Sequence, residues 1–194
     1  MYSVWVRTFL LVGNYGAGNL GDEALKAYFL HAFLGVRWQV ISARPVAGEL
    51  PRLPCGFRSL FSPWWRTISA LRKSVGIVFG GGTLFTDIES VFACFIWWWH
   101  AFVAHMIGKP VILAFQGVGP FRTRGGEWFA RWVFRRATFI SVRDEASRVR
   151  LESWSMNKNI IQTFDPVVLL IQSAKTSESS QNVFVIIPRN NSDA

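Results

Sequence analysis

The chain has 194 residues, 51% of them hydrophobic and 17% charged, which is ample for a packed core and excludes disorder, collagen and coiled coil. Lys and Arg total 21 against 12 Asp and Glu, a formal charge of +9; this favours anionic partners such as phosphates, nucleic acid or acidic lipid without choosing among them. Cys55 and Cys94 stand far apart with no paired spacing, so no zinc site or disulfide framework is written in the sequence, and a reducing cytosol suits it.

Apolar, β-branched runs of strand length alternate with stretches of helical period, the pattern of a parallel sheet with helices on both faces. The opening MYSVWVRTFLLVG has no basic leader, holds Arg7 inside its apolar run and shows no cleavage site, so it reads as a first strand and not as a signal peptide. Strands are predicted near Trp5 to Val12, Trp38 to Ser42, Val75 to Phe79, Val111 to Phe115, Thr138 to Val142 and Ile160 to Phe164. A first helix opens near Gly21 and Asp22, with Leu25, Tyr28, Phe29 and Ala32 at helical spacing. A second follows Pro63, a third covers Glu89 to Ile107, a fourth covers Glu127 to Arg136, and a fifth begins near Ala146. Within the third, Val91 to Met106 is an apolar run that is too short for the roughly 20 residues a bilayer core needs. The expected organisation is a Rossmann-like α/β domain over residues 1–172, a polar linker over 173–182, and over 183–194 a strand that opens a second, truncated domain.

In open α/β sheets ligands gather at the carboxyl ends of the strands. The turn GNYGAGNLGDEA after the first strand carries Gly16, Gly18 and Gly21 in dinucleotide-fingerprint spacing, but the second strand ends in Ser42, Ala43 and Arg44 with no acid for a ribose. Arg44 would suit a 2′-phosphate, whereas Asp22 and Glu23 at the helix mouth would repel a pyrophosphate. Asp22 reads either as a helix cap or as a functional carboxylate. In FGGGTLFTD, Gly80, Gly81 and Gly82 expose backbone amides that suit a carboxylate or phosphate, or else make a sharp turn. QGVGPF brings Gln116, Gly117 and Gly119 to another strand end, with Gln116 either facing a ligand or satisfied by a buried partner. In SVRDEAS, Arg143 is a fork for an anion or the partner of a neighbouring carboxylate. Asp165 follows the sixth strand as a turn residue. Together Asp22, Glu23, Asp87, Asp144, Glu145 and Asp165 suggest one functional rim.

His31, His100 and His105 lie on helices away from the strand exits, as core or interface residues, so no triad and no metal site is expected. Ten Trp and 17 Phe are many, and Trp97, Trp98 and Trp99 are consecutive on the third helix, so some must leave the core for another domain, a protomer or a membrane surface. On the fourth helix Trp128 and Trp132 alternate with Arg131 and Arg135, which suits either acidic lipid or a core stripe with solvated arginines.

The segments GNYGAGNLGDEA, FGGGTLFTD, GKPVILAFQGVGPF, SVRDEAS and FDP, taken in this order, resemble the polysaccharide pyruvyl transferase family. The resemblance implies the first domain of a two-domain fold like that of GT-B glycosyltransferases. It implies transfer of the enolpyruvyl moiety of phosphoenolpyruvate, as a ketal, to sugar hydroxyls of a bacterial cell-surface glycan or its lipid-linked precursor, with no cofactor. Asp22 and Arg143 match positions important in the family, and Gly18, Asn19, Gly21, Gly80, Gly81, Gly82, Gln116, Gly117 and Gly119 are expected to line the substrate cleft. The family's histidine belongs to the second domain, and none of the three histidines here matches it. The expected place is the cytoplasm, with peripheral contact at the inner face of the plasma membrane and no nucleic-acid partner. The alternatives are a GT-B glycosyltransferase or an NADP-binding oxidoreductase and, from another class, a non-catalytic membrane- or partner-docking module.

Overall fold

The computed structural model describes residues 7–156 and 158–169. Its elements are β1 (Arg7–Val12), α1 (Leu20–Ala32), β2 (Val36–Ser42), β3 (Leu50–Pro51), a 3-10 turn (Phe57–Phe61), α2 (Trp65–Lys73), β4 (Gly76–Phe85), α3 (Val91–Met106), β5 (Val111–Val118), α4 (Arg124–Arg136), β6 (Phe139–Val142), α5 (Glu145–Ser153) and β7 (Ile160–Gln162). The strands form one parallel sheet in the order β3-β2-β1-β4-β5-β6-β7. This is the α/β Rossmann-like arrangement expected from the alternating pattern, with a helix in the crossover between every two successive strands except β2 and β3. The expected linker over 173–182 and strand over 183–194 lie outside the described residues, as does the start of the first strand at Trp5.

Side-chain alternation along the strands divides the core into two layers. Leu10, Val12, Ile41, Ile77, Phe79, Leu113 and Ile140 pack with side chains of α2, α3, α4 and α5. On the other face Leu11, Val40, Val78 and Ala114 pack with Phe29 of α1 and with Tyr15. The helices therefore divide unequally, and Phe139 on β6 and Ile161 on β7 remain 43% and 41% exposed.

Three departures from the predicted elements have physical causes. The two-residue β3 lies at the sheet edge and contains Pro51, which a sequence pattern reads as a break. The fourth helix begins at Arg124, three residues before Glu127, because Thr123 caps it and accepts from Gly126 N–H at 3.0 Å. Gly126, outside the predicted helix, is required there because a Cβ would lie 2.5 Å from Asp87 Oδ2. Most consequentially, β4 does not stop at Phe79 but runs through the glycines to Phe85.

Candidate active site

The strand order reverses between β1 and β4, where neighbouring connections leave in opposite directions and open a crevice. At the β1 exit, Tyr15 is buried and its hydroxyl donates to Gly80 O at 3.2 Å, while Tyr15 O accepts from Ala43 N–H at 2.9 Å. The loop then rises to an exposed lip at Gly18, Asn19 and Gly21. Gly18 adopts φ +90°, which favours glycine, and Asn19 caps α1 by accepting from Gly21 N–H at 2.9 Å.

Asp22 and Glu23 fill the mouth of α1. Glu23 Oε1 accepts from Gly16 N–H at 2.7 Å and its other oxygen pairs with Lys26 at 2.5 Å. Asp22 is 8% exposed and accepts from Asn14 Nδ2 at 3.2 Å. Two carboxylates thus occupy the helix terminus that would seat a dinucleotide pyrophosphate, so the geometry does not favour the NADP reading. Burial raises the Asp22 carboxyl above the usual carboxylate range, and the Glu23 charge adds to this; the Asn14 hydrogen bond and the Arg143 and Arg52 charges oppose it.

Gly80, Gly81 and Gly82 are buried residues of β4 and not a turn beyond it. A Cβ on Gly80 would stand 2.2 Å from Tyr15 Oη. Gly81 and Gly82 hold φ +82° and +80°, and a Cβ on Gly82 would lie 3.0 Å from Asp22 Oδ1. The glycines thus let α1 and Asp22 approach the strand.

Arg143, at the β6 exit, donates from Nη1 to Asp165 Oδ2 and from Nη2 to Thr83 Oγ1, both at 2.7 Å. Its Nε lies 3.7 Å from Asp144 Oδ2. Gly117 makes room for this contact, since a Cβ there would sit 2.8 Å from Thr83 Oγ1 and 3.1 Å from Arg143 Nε. Arg143 is therefore both an ion-pair partner and, with a side chain 28% exposed, an open donor group. Gln116 is fully buried and donates to Phe79 O and Ala114 O, each at 2.9 Å, bracing β5 against β4. Gly119, with φ +69°, donates to Phe85 O at 2.7 Å ahead of a cis bond to Pro120.

The expected rim of six carboxylates contracts. Asp87 accepts from Arg122 N–H, Thr123 N–H and Thr123 Oγ1 at 2.5 to 2.8 Å and ties the α4 entry to β4. Asp144 caps α5 by accepting from Ser147 N–H at 2.7 Å, and Glu145 pairs with Arg148. Asp165 and Asp144 remain beside Arg143, whose charge also acts on Asp22. Of the histidines, His100 is buried, receives Leu53 N–H at Nε2 at 3.0 Å and has its pKa pushed down by burial to about 4; His31 and His105 are exposed. Burial also pushes the Cys55 and Cys94 thiols up, to about 11 and about 12, which leaves both in the unreactive form. Among the described residues no three His, Cys, Asp or Glu converge as a metal site.

Arg52, just past β3, was not legible in the sequence. Its Nη2 donates to Gly13 O at 3.3 Å and Asn14 Oδ1 at 3.1 Å, and its guanidinium carbon lies 4.8 Å from the Trp97 ring centroid. Arg52, Asn14 and Asp22 thus form one hydrogen-bonded chain. Proline in the edge strand hid the element that positions Arg52; an arginine directly after a strand remnant was the available signal.

A comparison with curated proteins gives no match. Residues 19–194 match the family model described as polysaccharide pyruvyl transferase, a span that includes Asp22, the β4 glycines, Gln116, Arg143 and Asp165. On this match, which takes in the strand exits on both sides of the switch point, the chain belongs to the polysaccharide pyruvyl transferase family.

Proposed function

We propose that this transferase moves the enolpyruvyl moiety of phosphoenolpyruvate onto two hydroxyls of a sugar in a cell-surface polysaccharide or its lipid-linked precursor. The observation that carries the reading is that, within the matched span, a buried carboxylate, Asp22, and an accessible arginine, Arg143, are set against consecutive residues of β4, Gly82 and Thr83. A guanidinium has five N–H donors; the bonds to Asp165 and Thr83 take one from each terminal nitrogen, which leaves donors for the donor substrate's carboxylate or phosphate. Asp22, Asn14, Thr83 and Asp165 supply the mixed donors and acceptors that sugar hydroxyls need.

In this reading the methylene carbon of phosphoenolpyruvate gains a proton and becomes a methyl group, leaving an oxocarbenium-like carbon. One sugar hydroxyl adds to that carbon and gives up its proton. Inorganic phosphate leaves with the electron pair of its C–O bond. The second hydroxyl then closes the cyclic ketal, and its proton passes to phosphate or solvent. Asp22 is suited to accept a hydroxyl proton, because a carboxyl raised by burial binds a proton more readily than an exposed one. Arg143 offsets the negative charge of the donor and of the leaving phosphate. The protein acts in the cytoplasm, where the acceptor is assembled on lipid.

The test is phosphate release from phosphoenolpyruvate with a panel of glycoside and lipid-linked acceptors, alongside calorimetric titration of phosphoenolpyruvate. Acceptor-dependent release that disappears in Asp22→Asn and Arg143→Ala is expected. A folded protein that neither binds phosphoenolpyruvate nor releases phosphate with any acceptor overturns the reading.

A further inference from the structure

The outer face of α3 and α4, on the side of the sheet opposite α1, presents aromatic surface. α3 carries no Asp, Glu, Lys or Arg over its 16 residues. Trp97, His100, Ala101 and Ala104 point into the core, and the opposite side shows Phe92, Phe95, Trp99, Phe102 and Met106 at alternating three- and four-residue spacing. Phe92 is 51% and Met106 68% exposed. The rings continue onto α4: Phe95 contacts Trp98 at 5.6 Å between centroids, and Trp98 contacts Trp128 at 6.1 Å, with Trp128 itself 54% exposed. Exposed apolar side chains joined to half-exposed rings in this way suit an interaction surface.

Charge selects the partner. On α4, Arg124, Trp128, Trp132 and Arg136 recur every fourth residue, so two tryptophans stand between two exposed arginines, and the Arg136 guanidinium carbon lies 4.2 Å from the Trp132 ring centroid. Arg135 is exposed beside them, with Nη2 donating to Trp154 O at 3.4 Å and its other donors left over. The acid of α4 is Glu127, already engaged by Arg131 at 3.2 Å and by Trp154 Nε1–H at 2.9 Å. In a symmetric contact between two copies of this face, whatever meets these arginines comes from the same two helices, which offer no unengaged acid, because an isologous interface must be self-complementary. No helix among the described residues is long and apolar enough to cross a membrane. An aromatic face edged by arginine matches instead the interfacial layer of a bilayer, where rings sit at headgroup depth and guanidinium groups meet lipid phosphate.

We infer that the α3–α4 face docks the protein on an anionic lipid bilayer, with the aromatic side chains at the headgroup boundary and Arg124, Arg135 and Arg136 on lipid phosphates. This goes beyond the proposed reaction and does not depend on it. Docking on this face leaves the strand-exit crevice to residues of other elements.

The test is co-sedimentation of the full chain with vesicles of phosphatidylcholine alone and of phosphatidylcholine with phosphatidylglycerol, without any substrate. Attraction of about fivefold per arginine near an anionic surface predicts binding at least tenfold tighter to the anionic vesicles. Phe92→Ser with Trp128→Ser, and separately Arg124→Glu with Arg136→Glu, should each abolish most of the binding while far-UV dichroism and the melting transition stay close to wild type. The inference is overturned by failure to bind anionic vesicles, by equal binding to both vesicle types, or by retained binding in both folded double variants. A dimer by sedimentation velocity that the same variants dissociate, with no vesicle binding, would also overturn it and assign the face to self-association.

Discussion

Asp22 and Arg143 are joined through two consecutive residues of β4: Asp22 Oδ1 lies 3.0 Å from the position a Cβ on Gly82 would take, and Arg143 Nη2 donates to Thr83 Oγ1 at 2.7 Å. A carboxylate from the first crossover helix and a cation from the β6 exit are thus registered against one strand at the topological switch point. Any motion of this part of β4 changes the setting of both.

Arg143 faces two carboxylates as well as solvent, and this separates two variants. Arg143→Ala removes a charge-assisted donor and should weaken phosphoenolpyruvate binding by about 1.5 to 3 kcal/mol. Asp165→Asn keeps an oxygen acceptor for Nη1 but removes the negative charge 2.7 Å away, so it should tighten binding of the same anion. Titration calorimetry reads both, and an Arg143→Ala variant of unchanged or tighter affinity would remove the arginine from the donor site.

Asp22 should behave as a group retained at a cost to stability. Because burial raises its folded-state pKa, the folded state holds the proton longer than the unfolded chain, and stability falls as pH rises from the ordinary carboxylate range through the raised folded value. Asp22→Asn lacks that decline while keeping an acceptor for Asn14. The variant should therefore melt higher than wild type at neutral pH, each kcal/mol counting for about 2–4 °C in a domain of this size, with the gain vanishing under acid conditions. Phosphate release should be lost throughout. Melting curves across pH check the first part, and a neutral-pH melting point at or below wild type would contradict it.

Much of the scaffold was legible in the sequence because burial on both sheet faces writes itself as apolar runs, as in Leu10 to Val12 and Ile77 to Phe79, and because helical spacing such as that of Leu25, Tyr28, Phe29 and Ala32 separates them. Features that depend on contacts distant in sequence were not. Gly80 to Gly82 look like a turn in isolation, and their place within a strand follows from Tyr15, Leu25 and Asp22 packing onto them. Arg143 was visible as a strand-exit cation, yet its anchoring to Thr83 depends on Gly117 from a third strand. Asp87 looked like rim chemistry until its acceptors were seen to be spent on Arg122 and Thr123.

The glycine at 82 offers a direct test of the coupling between strand and carboxylate. Its φ of +80° is costly for a residue with a side chain, roughly 1 to 3 kcal/mol for a non-glycine held in a sparsely populated region. A methyl group would also press on Asp22 Oδ1 at 3.0 Å. Gly82→Ala should lower stability within that range and reduce turnover further than the stability loss explains. Gly18→Ala shares a positive φ of +90° but meets nothing within 4 Å, so it should carry the backbone cost alone. Equal turnover in the two variants would refute the coupling.

Asp87 supplies the opposite sign of pH dependence. Burial works against its ionisation, but the hydrogen bonds from the Thr123 hydroxyl and from the Arg122 and Thr123 backbone outweigh it and hold the carboxyl below the usual range. With a depressed folded-state pKa, its contribution is complete above the unfolded value and is lost as pH falls through the folded one. Asp87→Ala leaves those donors unmet at the α4 entry and should cost about 3 kcal/mol or more, since hydrogen bonds to charged groups are worth about 1.5 to 3 kcal/mol each. Denaturant titration at neutral and acid pH distinguishes the outcomes: the gap between wild type and variant should narrow as Asp87 becomes protonated, whereas a gap independent of pH would mean that packing against Gly126, and not the charge, is what Asp87 contributes.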